Sequence, residues 1–139
     1  FEPATAIIYD HGGDVDKYMG DCIFAAFRNS LQAVQAGRRI LTLFQGVRAR
    51  GNPFNVRIGI NSGRAIRANV GGKDRREYTF IGDAVNLAQR LESQCTPGKM
   101  LISVNFPPSA LDDLRFTRRT LTVKGKRDPL IAFECEPLP

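Results

Sequence analysis

Four sets of polar side chains have the type and spacing that could do chemistry. Asp21 closes the run His11-Gly-Gly-Asp-Val-Asp-Lys-Tyr-Met-Gly-Asp21, and Asn86 and Arg90 stand one helical turn apart, a spacing that stacks both on one helix face. Arg64 follows Asn61-Ser62-Gly63, and Lys124, Lys126 and Arg127 crowd the glycine at 125. A carboxylate is the hard oxygen ligand that Mg2+ prefers. A guanidinium suits spreading charge over phosphoryl oxygens, and an ammonium is a point charge able to follow phosphate.

Each set also has an ordinary reading. Asp21 by itself is a turn residue, Asn86 and Arg90 a solvated helix face opposite Val85, Ala88 and Leu91, and the basic turn a wet hairpin tip. A calcium loop through Asp14, Asp16 and Asp21 fails, because Tyr18 and Met19 stand where that pattern needs an acid and a glycine.

The elements that must position these residues follow from periodicity. Pro3 to His11 reads as the end of a helix stopped by Gly12 and Gly13. Val15–Tyr18 and Cys22–Phe27 read as a hairpin with Asp21 at its tip. Leu31, Val34, Leu41, Phe44 and Val47 recur at a helical period to Arg50, with Ser30 as the expected N-cap. Phe54, Val56, Ile58 and Ile60 alternate as a strand, and Asn61-Ser62-Gly63 turns the chain into a second hairpin running to Val70. After the polar loop 71–77, Tyr78–Ile81 is a short strand and Asp83 is expected to cap a helix reaching Gln94. Met100–Val104 is strand-like, Ser109–Leu114 a short helix, and Phe116–Val123 with Leu130–Cys135 a last hairpin. Mixed hairpins and packed helices predict an α+β fold with a largely antiparallel sheet.

At 139 residues the chain suits one domain, and a domain of that size buries roughly two thirds of its unfolded surface. Its 20 basic against 14 acidic residues, formally +6, favour an anionic partner. Nucleic acid is disfavoured, since the basic residues are scattered and no Trp is present. Cys22, Cys95 and Cys135 have neither metal-ligand nor disulfide spacing, so reduced, buried thiols and a cytoplasmic setting are expected. No apolar run approaches the roughly 20 residues of a membrane span, and no signal peptide is evident.

Three stretches, His11–Asp21, Val56-Arg-Ile-Gly-Ile-Asn-Ser-Gly63 and Tyr78-Thr-Phe-Ile-Gly-Asp-Ala-Val-Asn-Leu-Ala-Gln-Arg-Leu-Glu92, with Val123-Lys-Gly-Lys126 as a fourth, resemble the class III adenylate and guanylate cyclases in order over nearly the whole chain. The resemblance implies the nucleotide cyclase fold, related to the ferredoxin-like one, and conversion of a nucleoside triphosphate to a 3′,5′-cyclic monophosphate and pyrophosphate. It implies two Mg2+ or Mn2+ ions, with Asp21 as a metal ligand. Asn86 and Arg90 match the residues that orient the ribose and stabilise the transition state. Lys124 matches the triphosphate lysine, and Arg64 resembles a phosphate-contacting arginine of some members. Lys17 and Thr79 stand at the two base-reading positions, where lysine and threonine favour ATP over GTP. A homodimer sharing each site between subunits is implied, as are sensor domains elsewhere in a longer protein, which also leaves open a membrane anchor in another segment.

The sequence also departs from the pattern. The family's first strand brings a second metal-binding Asp in a context resembling F-x-D-I-x-x-F, and these 139 residues hold no such segment. The chain by itself is therefore expected to be almost inactive. A guanylate cyclase and a non-catalytic, dimerising or nucleotide-sensing module are the alternatives. A diguanylate cyclase is disfavoured, because Val15 stands where that family needs Glu.

Overall fold

Ala4, Ile7 and Ile8 give Glu2–Asp10 (α1) one buried apolar side, and Gly12, at φ 80°, ends the helix. The computed structural model describes residues 2–51, 54–69, 78–103, 106, 111–122 and 129–138. The chain next forms an antiparallel hairpin from Gly13–Met19 (β1) and Cys22–Phe27 (β2), turning at Gly20 with φ 60°. The long helix Ser30–Ala49 (α2) comes after it. Its cap is Asn29, whose side-chain oxygen accepts from the Gln32 N–H at 3.1 Å, and not Ser30 as expected.

The main sheet has four strands in the order Ile58–Ile60 (β3), Met100–Ser103 (β6), Leu130–Pro137 (β8) and Leu114–Leu121 (β7). β3 runs parallel to β6, and the other pairs are antiparallel. All four β6 residues are buried, because helices cover both faces. Met100 and Ile102 face Val34 and Leu41 of α2, while Leu101 packs with Leu91 and Cys95 at the end of the helix Asp83–Gln94 (α3). Ile66–Asn69 (β4) and Tyr78–Ile81 (β5) form a separate antiparallel ribbon. The α+β class is as expected.

Three local expectations need correction. The strand predicted over Phe54–Ile60 is confined to Ile58–Ile60, and no hairpin links it to β4; it pairs with Met100–Ser103, and β4 pairs with β5. Asp83 does not cap α3: it is the first helical residue, and Gly82, at φ 132°, takes the cap position without a side-chain hydrogen bond. Leu114 opens a strand instead of closing a short helix, while residues 109 and 110 of that expected helix lie outside the described residues. Cys95 and Cys135 are buried as expected, whereas Cys22, on the hairpin strand β2, is only half-buried.

Candidate functional site

Asp21 lies exposed in the turn between β1 and β2. Beside it, the Cys22 thiol is pushed above its ordinary value by burial, and further by the Glu92 and Asp21 carboxylates. On the same hairpin, a bulge determines where Lys17 points. Val15 pairs with Ala25 and Lys17 with Phe24, leaving Asp16 as the extra residue. Val15, Ile23, Ala25 and Phe27 pack towards Ile8 and Ile40 of the two helices. Lys17 therefore takes the opposite side with Phe24, its Nζ 5.8 Å from that ring's centre. Tyr18 returns to the helix side, where its hydroxyl shares a 2.9 Å hydrogen bond with Thr5 of α1. The Asp16 side chain is only 2% exposed and lies 3.9 Å from Lys17 Nζ.

Asn86 and Arg90 both project into solvent from α3, whose other side buries Leu91. Two devices hold that helix on β3 and fix its start. Gly59 has no side chain to keep the backbones apart: a Cβ there would lie 2.5 Å from the Ala88 carbonyl oxygen and 2.8 Å from Glu92 Cα. Asn61 donates its side-chain amide to the Ala84 carbonyl at 3.0 Å, and Gly63 packs against Ala84. Arg64 is exposed, its carbonyl beside Gly82 at the head of α3. Thr79 sits on β5 opposite Ala68, and β5 adjoins β1, so the strands carrying Thr79 and Lys17 are neighbours. Lys124 lies outside the described residues.

Glu134 was not singled out by sequence reasoning, yet it is the most heavily hydrogen-bonded carboxylate described. It accepts from the Thr96 N–H at 3.3 Å, from the Thr96 hydroxyl at 3.0 Å and from Arg119. Lys99 Nζ lies 3.8 Å away. Burial alone would raise this carboxyl, but the bonds from Thr96 and Arg119 outweigh it and hold the group below the usual carboxylate range. The available signal was an acid in strand alternation with Ala132, on the face that buries Leu101.

Among the described residues no group of three or more His, Cys, Asp or Glu side chains could by itself hold a metal ion. Asp21, a protruding carboxylate with room around it, fits the way Mg2+ is usually held, by one or two protein carboxylates with substrate phosphates completing the shell.

A model of the adenylate and guanylate cyclase catalytic domain matches residues 16–133. The chain is 35% identical over 146 aligned positions to a terminal-differentiation-specific adenylate cyclase of Dictyostelium discoideum, covering 94% of this chain and 7% of that protein. The chain thus spans a small part of that relative. Among solved structures, the guanylyl cyclase Cya2 is 30% identical at a TM-score of 0.78, covering 100% of this chain and 77% of that one. The adenylyl cyclase CyaB from P. aeruginosa is 29% identical at 0.78, covering 99% and 79%.

Proposed function

Because this chain belongs to the adenylate and guanylate cyclase catalytic domain family, we propose that it is an adenylate cyclase domain, converting ATP to 3′,5′-cyclic AMP and pyrophosphate. The observation that carries this reading is Asn86 and Arg90, exposed together on an α3 that is fixed to β3. In the reaction the ribose 3′-oxygen loses its proton and bonds to the α-phosphorus. The bond to the bridging oxygen breaks, and pyrophosphate leaves with that electron pair.

Arg90 donates to the phosphoryl oxygens where charge grows, and Asn86 holds the ribose so that its 3′-oxygen faces the phosphorus. Lys124 and Arg64 bind the triphosphate. Asp21 would hold divalent metal, which when bound lowers the pKa of the nucleophile and neutralises phosphate charge. A two-ion site needs a second carboxylate besides Asp21, and turnover with Asp21 as the one protein carboxylate is slow.

Base choice rests on Lys17 and Thr79, on adjoining strands: the ammonium donates to an adenine ring nitrogen, and the threonine hydroxyl accepts from the exocyclic amine. Guanylate cyclase is the second reading, favoured by the likeness to Cya2. Two copies pair to build each site. Exposed apolar side chains support this pairing: Ile66 and Ile81, opposite each other on the β4–β5 ribbon, and Tyr18 and Met19 near the hairpin tip. The unlinked thiols, Cys95 and Cys135 buried and Cys22 half-buried, fit a cytoplasmic domain.

The test is cyclic nucleotide formation from ATP and from GTP with Mn2+, by this chain and by a version extended by about 50 residues at its amino end. Cyclic AMP from the extended version, with little from the chain alone, is the expected result. No cyclic nucleotide from either version sinks the enzymatic reading, and leaves the non-catalytic module.

A further inference from the structure

One hydrogen-bond network outside the site already described ends on the helix that carries Asn86 and Arg90. Arg119, on β7, uses a single terminal nitrogen to reach two acceptors, the Gln94 carbonyl at 3.0 Å and the Glu134 carboxylate. Gln94 is the last residue of α3, one turn beyond Arg90, and its carbonyl is one of those that a helix leaves unpaired at its end. A guanidinium there also meets the negative end of the helix dipole. Glu134 fixes the guanidinium through its own bonds to Thr96, the second residue after α3. Gln94 returns the connection, donating its side-chain amide to the Thr122 carbonyl just past β7 at 3.4 Å.

We propose that Arg119 and Glu134 are positioning residues for the nucleotide's phosphates: they lock the end of α3 to the β7–β8 pair and so fix where Arg90 points. This rests on the reading of Arg90 as a phosphate-directed residue. Neither residue needs to touch the ligand. Arg57 reaches the same helix from the exposed side, pairing with Glu92 at 3.2 Å and donating to the Ser93 carbonyl at a long 3.5 Å, and serves as the internal comparison, since exposed contacts of that kind hold little.

The experiment measures Mn2+-tripolyphosphate and adenosine binding by calorimetry in the wild-type chain and in R119Q, R119K, E134Q, R90A, R57Q and the double variant R119Q/R90A. Each fold is checked by thermal unfolding. R119Q and E134Q are expected to weaken tripolyphosphate binding about tenfold, the scale of coupling within one bonded network, while adenosine binding stays unchanged. R119K, which keeps the charge on a side chain one atom shorter, should lie between. The double variant should bind no more weakly than R90A alone, because Arg119 acts through Arg90. Folded R119Q and E134Q with wild-type tripolyphosphate binding overturn the inference, as do additive losses in the double variant or an equal loss in R57Q. If R119Q does not fold, R119K and E134Q carry the same comparison. Absence of tripolyphosphate binding in the wild type sinks the phosphate reading of Arg90 and this inference with it, an outcome distinct from wild-type binding that the variants leave unchanged.

Discussion

Gly59 of β3 and Glu92 of α3 meet backbone to backbone, with no side chain between them: a Cβ on Gly59 would fall against the Glu92 amide nitrogen and 2.8 Å from its Cα. Strand and helix both resist movement there, so the added methyl has no flexible neighbour to displace. Gly59→Ala should destabilise the fold by about 1–3 kcal/mol and move α3. Gly37→Ala meets mainly the flexible Met100 side chain and should cost less. Chemical denaturation of the two variants side by side checks the ordering.

Removing the exposed polar pair of α3 tests catalysis directly. Arg90→Ala should lower kcat by about 10²–10³, the cost of losing one preorganised donor to developing charge, and should also raise KM, because the same guanidinium meets the phosphates before reaction. Asn86→Ala should act in the same direction. Both side chains are exposed, so neither variant should shift the unfolding midpoint appreciably. A large fall in stability would mean that the helix face is structural.

Lys17→Glu replaces a donor with an acceptor at the base-reading position. The ratio of ATP to GTP turnover should fall at least about tenfold, since leaving a recognition group without its partner costs more than losing a contact. Competition between the two nucleotides in one assay measures the ratio without depending on absolute activity. An unchanged ratio would remove Lys17 from base selection.

Glu134 predicts a pH effect on stability. Its carboxyl titrates below the ordinary range in the folded chain, so folding favours the ionised form. That stabilisation is complete above the unfolded carboxyl value, about 4.3, and is lost as pH falls through the depressed folded value. Glu134→Gln should be less stable than wild type by about 1–3 kcal/mol at pH 7, and the difference should shrink towards zero in acid. Urea unfolding across roughly pH 2.5 to 7, a range chosen to bracket both values, measures it.

What the sequence made legible was mostly local. The β1–β2 hairpin, α2 and α3 come from alternation, helical period and glycine placement, and the exposed Asn86 and Arg90 from their spacing. Caps were missed by one residue: Asn29 and Ser30 are both good capping types, and the glycine at 82 takes a backbone conformation that Asp83 need not adopt. The second hairpin failed for a deeper reason. Ile58–Ile60 carries a strand pattern, but its partner is Met100–Ser103, and nothing local distinguishes a parallel partner far along the chain from an adjacent one. The Arg119–Glu134 network was equally hidden, because it joins β7, β8 and the end of α3 only once the sheet has formed.

The extra residue in β1 makes the hairpin sensitive to counting as well as to composition. Strand side chains swap sides at every step, and the odd position at Asp16 reverses the parity of the later strand residues, bringing Lys17 to the side opposite Val15 and Tyr18 back over α1. Substitutions along this stretch alter one side chain at a time. An insertion or deletion of one codon between Gly13 and Lys17 exchanges inside for outside over the rest of the strand, unless a new odd position restores the phase. Length here should drift less readily over evolution than residue identity.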